Sequence, residues 1–148
     1  MRPGDPVPDF ELYAQDGHPV RLSEELTRGP VVLFFYPKAM TPGCTRQSCH
    51  FRDLEAEFAT VGAIRLGISA DSVDRQRQFA EKNGFEFPLL ADPDRVVARQ
   101  FGVKRPGPLF NRRATFVIGT DGRLVAEIRS EIDMAKHADE ALAILSSN

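Results

Sequence analysis

Apolar residues along this chain fall into short unbroken runs separated by stretches of three- to four-residue periodicity, the pattern of buried strands alternating with amphipathic helices. Val31 to Tyr36, bracketed by Pro30 and Pro37, is continuous and of strand length, which suits a central strand covered on both faces. A polar turn follows, then a helical pattern to about Phe58 in which Phe51, Leu54 and Phe58 recur at three- and four-residue intervals. Ala63 to Ile68 reads as a second buried strand. Ser72 to Lys82 reads as a helix capped at Asp71 or Ser72 and closed at Asn83-Gly84. Phe87 to Leu90 is a short strand, and Asp94 to Phe101 a helical turn or two ending at Gly102. Ala114 to Ile118 and Leu124 to Ile128 pair around the turn Gly119-Thr120-Asp121-Gly122, after a loop over 104–111, and a last helix runs from about Met134 to Leu145. Upstream, residues 1–9 form an extended Pro- and Gly-rich arm. Phe10 to Tyr13 and Pro19 to Leu22 flank the turn Gln15-Asp16-Gly17-His18, predicting a hairpin placed before the main fold. The sum is an α/β sandwich, a central mixed sheet with helices on both faces.

Composition narrows the function classes. With 148 residues the chain fits one domain, 1–148, with one core, and 27% charged against 42% apolar residues is the balance of a globular protein. The net charge of -2 comes from interleaved acids and bases, so no block has the sustained positive charge that a nucleic acid partner demands. The N-terminus lacks an apolar signal core, and Val31 to Tyr36 is far too short to span a bilayer, so the expectation is a cytoplasmic protein with no membrane partner. Two cysteines cannot staple a secreted framework; their closeness in one predicted element points to redox or metal chemistry.

Cys44 follows Thr41-Pro42-Gly43 at the point where the central strand gives way to a helix. Thr41 and Pro42 make a good N-cap and N1 pair, the threonine oxygen accepting from an open amide and the proline lacking the N–H that would go unused. Cys44 then lies at N3, where open amides and the helix dipole favour a thiolate, the nucleophilic form. Gly43 lets a substrate approach the backbone closely. A thiolate that displaces a leaving oxygen also needs a cation and hydroxyl donors to stabilise the charge developing there. Thr41 supplies a hydroxyl, and Arg113, at the mouth of the strand from Ala114 to Ile118, is the candidate cation, with Arg112 as its rival.

Cys49 lies five residues after Cys44, and an intact helix would hold their α-carbons roughly 8 to 9 Å apart. A disulfide needs them within about 6.8 Å, so the helix start must unwind if the two sulfurs are to join. A zinc site from Cys44, Cys49 and His50 lacks a fourth ligand, so no metal is expected. His18 and His137 are expected as lone surface histidines.

Tyr36-Pro37-Lys38-x-x-Thr41-Pro42-Gly43-Cys44-Thr45, followed by Cys49-His50-Phe51-Arg52-Asp53, resembles the peroxiredoxins, in particular the bacterioferritin comigratory protein or Q subgroup. The likeness runs from Gly4-Asp5-x-x-Pro8-Asp9-Phe10 to Arg113-x-Thr115-Phe116-Val117-Ile118 and Asp121-Gly122. It implies a thioredoxin-like three-layer sandwich with an N-terminal β-hairpin extension, matching the element order. It further implies a thiol-dependent peroxidase without cofactor, in which Cys44 is the peroxidatic cysteine, Cys49 the resolving one, Pro37 and Thr41 shape the pocket and Arg113 activates it. A hydroperoxide is the implied substrate and thioredoxin or a similar dithiol protein the reductant, with the chain a monomer or a weak dimer. Gln47 stands where many relatives have Glu, and Ala39 where Asp is frequent. The rival readings are a thioredoxin-type disulfide oxidoreductase, which would carry Cys-x-x-Cys and a cis-proline before the strand at 114, and a redox-sensing chaperone or adaptor.

Overall fold

The computed structural model describes residues 1–107 and 109–147. Its strands are β1 (Glu11–Ala14), β2 (Pro19–Arg21), β3 (Val31–Phe35), β4 (Ile64–Ser69), β5 (Leu89–Ala91), β6 (Ala114–Ile118) and β7 (Leu124–Arg129). Its helices are α1 (Leu22–Glu25), α2 (Pro42–Asp53), α3 (Glu55–Thr60), α4 (Val73–Asn83), α5 (Val96–Gln100) and α6 (Lys136–Ser146). All seven strands join one sheet in the order β2-β1-β5-β4-β3-β6-β7. The central β3, β4 and β5 are mutually parallel; β6 and β7 extend one side antiparallel, and β1 and β2 extend the other.

Every residue of β3 is buried, because alternate side chains point to opposite faces and both faces are covered. Val31, Leu33 and Phe35 enter a core with Leu66, Ile68, Phe116 and Phe101, closed by α1, α5 and the N-terminal segment. Val32, Phe34 and Tyr36 enter a second core with Phe51, Phe58, Phe79 and Ala138, closed by α2, α3, α4 and α6. The result is the expected three-layer sandwich. Phe34 stacks on Phe51 at 4.1 Å between ring centroids, which pins α2 to the central strand. Gly67 makes room for that ring: a β-carbon there would lie 2.8 Å from Phe34 Cζ and from Leu89 Cδ2.

Three features differ from the sequence reading. The N-terminal hairpin is part of the main sheet, since Tyr13 and Ala14 of β1 pair with Ala91 and Leu90 of β5. The helix expected to run to Phe58 breaks at Leu54, where Arg65 Nη1 donates to the Phe51 carbonyl at 2.7 Å and takes the acceptor that the Glu55 amide would use. The short α1 escaped notice because its start is held from a distance: Asp9 accepts from the Ser23 amide at 2.9 Å and from its hydroxyl at 2.9 Å. Among the described residues, no helix is long and apolar enough to cross a membrane.

Candidate active site

The chain leaves β3 at Tyr36, bends at the half-buried Pro37 and enters α2 with Thr41 as N-cap and Pro42 in the first turn. Asp71 holds the connecting loop, accepting from the Ala39 amide at 2.8 Å and from the Ser69 hydroxyl at 2.7 Å. Met40 completes the bend with φ of 65°, a left-handed conformation that a non-glycine residue adopts only under constraint. Asp71 is thus a positioning residue; the cap of α4, for which it was one candidate, is Ser72, whose side chain accepts from the Arg75 amide.

Thr41 departs from expectation in one respect. Its side chain does not cap α2; the hydroxyl donates back to the Lys38 carbonyl at 2.9 Å. That bond closes the loop on itself, and it leaves the first-turn amides of α2 without a side-chain acceptor.

Cys44 lies at N3 of α2, as expected, with 1% of its surface exposed and its thiol free. Arg113, directly before β6, reaches across to it: Nη2 stands 3.3 Å from Cys44 Sγ, and Nη1 donates to Gln47 Oε1 one turn further along α2. The sulfur therefore faces a buried guanidinium at the positive end of a helix, an environment that stabilises negative charge. Of the two candidate arginines, Arg113 is the one brought beside the sulfur, while Arg112 is exposed and makes no contact with it. The Arg113 backbone is fixed too, its amide donating to Glu131 Oε1 at 3.0 Å. The space beside Gly43 serves the protein's own side chains: a β-carbon there would meet Arg113 Nη2 at 3.3 Å and Met134 Sδ at 3.5 Å.

Cys49 lies on the same helix, half-buried and free, with Sγ 3.9 Å from Asn83 Oδ1 on α4. Burial pushes its thiol up, with Arg52 opposing and Asp53 reinforcing the effect, so it rests as the neutral thiol. His50 turns away from both cysteines to Asp139 Oδ1 at 2.7 Å. Among the described residues no three His, Cys, Asp or Glu side chains converge as a metal site would require.

The expectation for His137 was wrong: it is fully buried on α6. Its Nε2 donates to the Ser130 carbonyl at 2.9 Å, which leaves Nδ1 to accept from the Thr115 hydroxyl at 2.8 Å. Burial pushes its pKa down, with Arg113 and Lys136 reinforcing and the Ser130 bond and Glu131 opposing. Alternation along β6 had already placed Thr115 on the Arg113 face, but no sequence signal paired it with a residue 22 positions away. The buried stripe of α2 is also notable for its polarity: Cys44, Gln47, Ser48 and Phe51. Gln47 Nε2 and Ser48 Oγ are buried without a hydrogen-bond partner among the described residues.

Comparison with known proteins agrees with this geometry. Residues 3–127 match the AhpC/TSA family. A putative peroxiredoxin of Mycobacterium tuberculosis is 57% identical over 148 residues, covering 98% of this chain and 96% of the relative. The crystal structure of peroxidoxin BcpB from Mycobacterium tuberculosis superposes with a TM-score of 0.96 at 55% identity, covering 99% of this chain and 97% of that one. A Xanthomonas campestris bacterioferritin comigratory protein, described for its alkyl peroxide reduction activity, superposes with a TM-score of 0.86 at 35% identity over 93% of this chain and 90% of that one. With a free cysteine at the head of α2, an arginine facing it and relatives of this closeness, the chain belongs to the AhpC/TSA family and is a peroxiredoxin of the bacterioferritin comigratory protein and Q type.

Proposed function

We propose that this thiol peroxidase reduces hydrogen peroxide and organic hydroperoxides through Cys44, with Cys49 resolving the oxidised sulfur. The observation that carries the reading is the approach of Arg113 Nη2 to within 3.3 Å of Cys44 Sγ at the start of α2. The Cys44 thiolate attacks the terminal peroxide oxygen; an S–O bond forms, the O–O bond breaks, and its electron pair leaves on the inner oxygen as hydroxide or alkoxide. Arg113 and the open first-turn amides stabilise that charge until a solvent proton neutralises it. Sulfur has then lost two electrons as a sulfenic acid, and peroxide has become water or alcohol. Pro37 and Thr41 shape the loop that presents the sulfur.

In the second step the Cys49 thiol condenses with the sulfenic acid, releasing water and forming the disulfide. Both cysteines lie in the continuous α2, so its first turns unwind for the bond to form. The orphaned Gln47 and Ser48 groups favour that release, since a buried unpaired polar atom costs the folded segment about 1–3 kcal/mol. A thiol reductant restores the enzyme, and we take thioredoxin or a similar dithiol protein for that role. We further read residues 1–148 as one domain acting as a cytoplasmic monomer or weak dimer.

Stopped-flow oxidation of Cys44→Ser and Cys49→Ser variants tests the scheme. The first is expected to consume no peroxide, and the second to consume about one equivalent and then stall with thioredoxin as sole reductant. Continued thioredoxin-driven cycling by Cys49→Ser would refute the resolving role; peroxide turnover by Cys44→Ser would refute the whole assignment.

A further inference from the structure

The two sulfurs of α2 meet opposite neighbours. Cys44 faces the fork of Arg113, whereas Cys49 faces the side-chain oxygen of the half-buried Asn83, the last residue of α4, with Sγ 3.9 Å from Oδ1. That amide is not free to turn over. Its Nδ2 donates to the Phe79 carbonyl at 3.0 Å, so the sulfur meets an acceptor oxygen and not an N–H. A thiol can donate weakly to that oxygen, whereas a thiolate would face the negative end of the amide dipole.

The neighbouring cation is engaged elsewhere. Arg52 donates from Nη1 to the main-chain carbonyl of the same Asn83 and from Nε to Asp53 Oδ1 at 3.0 Å, with Nη2 2.9 Å from that carboxylate oxygen. Its guanidinium carbon lies 6.0 Å from the ring centroid of Phe85. Among the described residues, Arg52 and Asp53 are the charged groups that bear on Cys49. From α4 it receives the neutral Asn83 amide, and His50 beside it is turned to Asp139 of α6. Burial is the largest influence and pushes the thiol up, Arg52 working against it and Asp53 with it.

We propose that Asn83 is a positioning residue for the resolving step, holding Cys49 against α4 as an unreactive thiol until the unwinding of α2 draws the sulfur away. Attack on an oxidised sulfur depends on the thiolate fraction of the attacking thiol, so release from Asn83 into water is what activates Cys49. The freed thiol gives its proton to solvent, and the thiolate attacks the sulfenic sulfur of Cys44. The S–S bond forms as the S–O bond breaks, the oxygen leaves as hydroxide, and a solvent proton converts it to water. Cys49 sulfur is oxidised in this step and Cys44 sulfur reduced. In the folded enzyme, meanwhile, peroxide is met by Cys44 alone. This role presupposes that Cys49 is the resolving cysteine and adds what keeps it in reserve.

Cys44→Ser leaves Cys49 as the one cysteine of the chain, so alkylation by iodoacetamide across pH reports its thiolate directly. In that background Asn83→Ala is expected to react several-fold faster near neutrality, with its pH profile displaced downward. Asn83→Asp sets a carboxylate against the sulfur and is expected to displace the profile upward. Faster alkylation with an unmoved profile would mean that the alanine merely opens access, and it would overturn the proposal. With both cysteines present, quenched flow and mass spectrometry after about one equivalent of hydrogen peroxide separate sulfenic acid from disulfide. Oxidation of Cys44 is expected to be unchanged in both Asn83 variants, which also shows that they fold. Disulfide formation is expected to be several-fold faster with alanine and several-fold slower with aspartate. Slower disulfide formation in both variants, or rates that match the native protein, would overturn the role of Asn83 and leave Cys49 as the resolving cysteine. If the protein with native Asn83 forms no disulfide between Cys44 and Cys49, the resolving reading and this one fall together.

Discussion

Gln47 Oε1 accepts a hydrogen bond from Arg113 Nη1 while Nη2 of the same fork faces Cys44 Sγ, so the cation beside the sulfur is aimed by a neutral amide of the sulfur's own helix. Gln47 is fully buried and its Nε2 has no partner among the described residues, so its oxygen is the atom that serves the site. Gln47→Ala is expected to slow peroxide oxidation about tenfold, the rate equivalent of one charge-assisted hydrogen bond. Gln47→Glu keeps the acceptor and sacrifices no used donor, so it should recover most of that loss. Equal losses in both variants, measured by stopped flow, would show that position 47 acts by packing alone.

Arg113 itself is required by two partners at once, which a planar fork can serve and an ammonium cannot. Arg113→Gln should lower the second-order rate constant for peroxide by about 10²–10³-fold, as loss of a donor to a developing oxyanion does. Arg113→Lys should restore the charge and only part of the rate. A lysine variant as fast as the native protein would reduce the role of Arg113 to simple charge.

Asp71 holds the loop before Cys44 through the Ala39 amide, and it is held in turn by Ser69, whose hydroxyl also accepts from Gln76 Nε2 at 2.9 Å. Removing the carboxylate strands a partly buried N–H beside the left-handed Met40. Asp71→Ala should cost about 2 kcal/mol of stability and speed hydrogen exchange at residues 39–41. Exchange at those amides unchanged from the native protein would show that the loop is fixed by other means.

The strand β3 was legible as a continuous apolar run and β4 as a mostly apolar one interrupted by Arg65, and the helix bearing Cys44 because Thr41-Pro42 marks its start whatever the threonine hydroxyl does. The sulfur and its arginine were legible for a related reason: the strand mouth at residue 113 is set by the run that follows it. What escaped was what distant residues decide. Arg65 ends α2 from the neighbouring strand, Asp9 starts α1 from 14 positions upstream, and Asp71 reaches back 32 positions to Ala39. His137 escaped for the same reason, because burial of a histidine depends on finding Thr115 and Ser130 already in place to satisfy both ring nitrogens. Local periodicity carries no record of such partners.

His137 gives the protein a pH dependence whose sign can be worked out. Its pKa lies below the ordinary 6.5, chiefly through burial, with Arg113 and Lys136 adding to the shift and Ser130 and Glu131 working against it. The unfolded chain therefore binds a proton at a pH where the folded chain still refuses it. Stability from this residue is complete above the unfolded value, declines as pH falls below it, and levels off once pH passes the folded value. The slope in that window approaches at most about 1.4 kcal/mol per pH unit. Other groups act elsewhere. For Asp9 the cost of burial is outweighed by its Ser23 hydrogen bonds and the lowered pKa acts below 3.8, whereas burial raises Asp92 and makes it favour the folded state as pH falls. Both contributions cancel when a His137→Gln variant is compared with the native protein at each pH. The variant is expected to be less stable near neutrality, having lost one of two buried hydrogen bonds, and to close the gap as pH falls below about 6.5. Parallel urea-denaturation curves, with a stability difference constant across that range, would show that His137 takes up its proton alike in the folded and unfolded states and plays no part in the acid response.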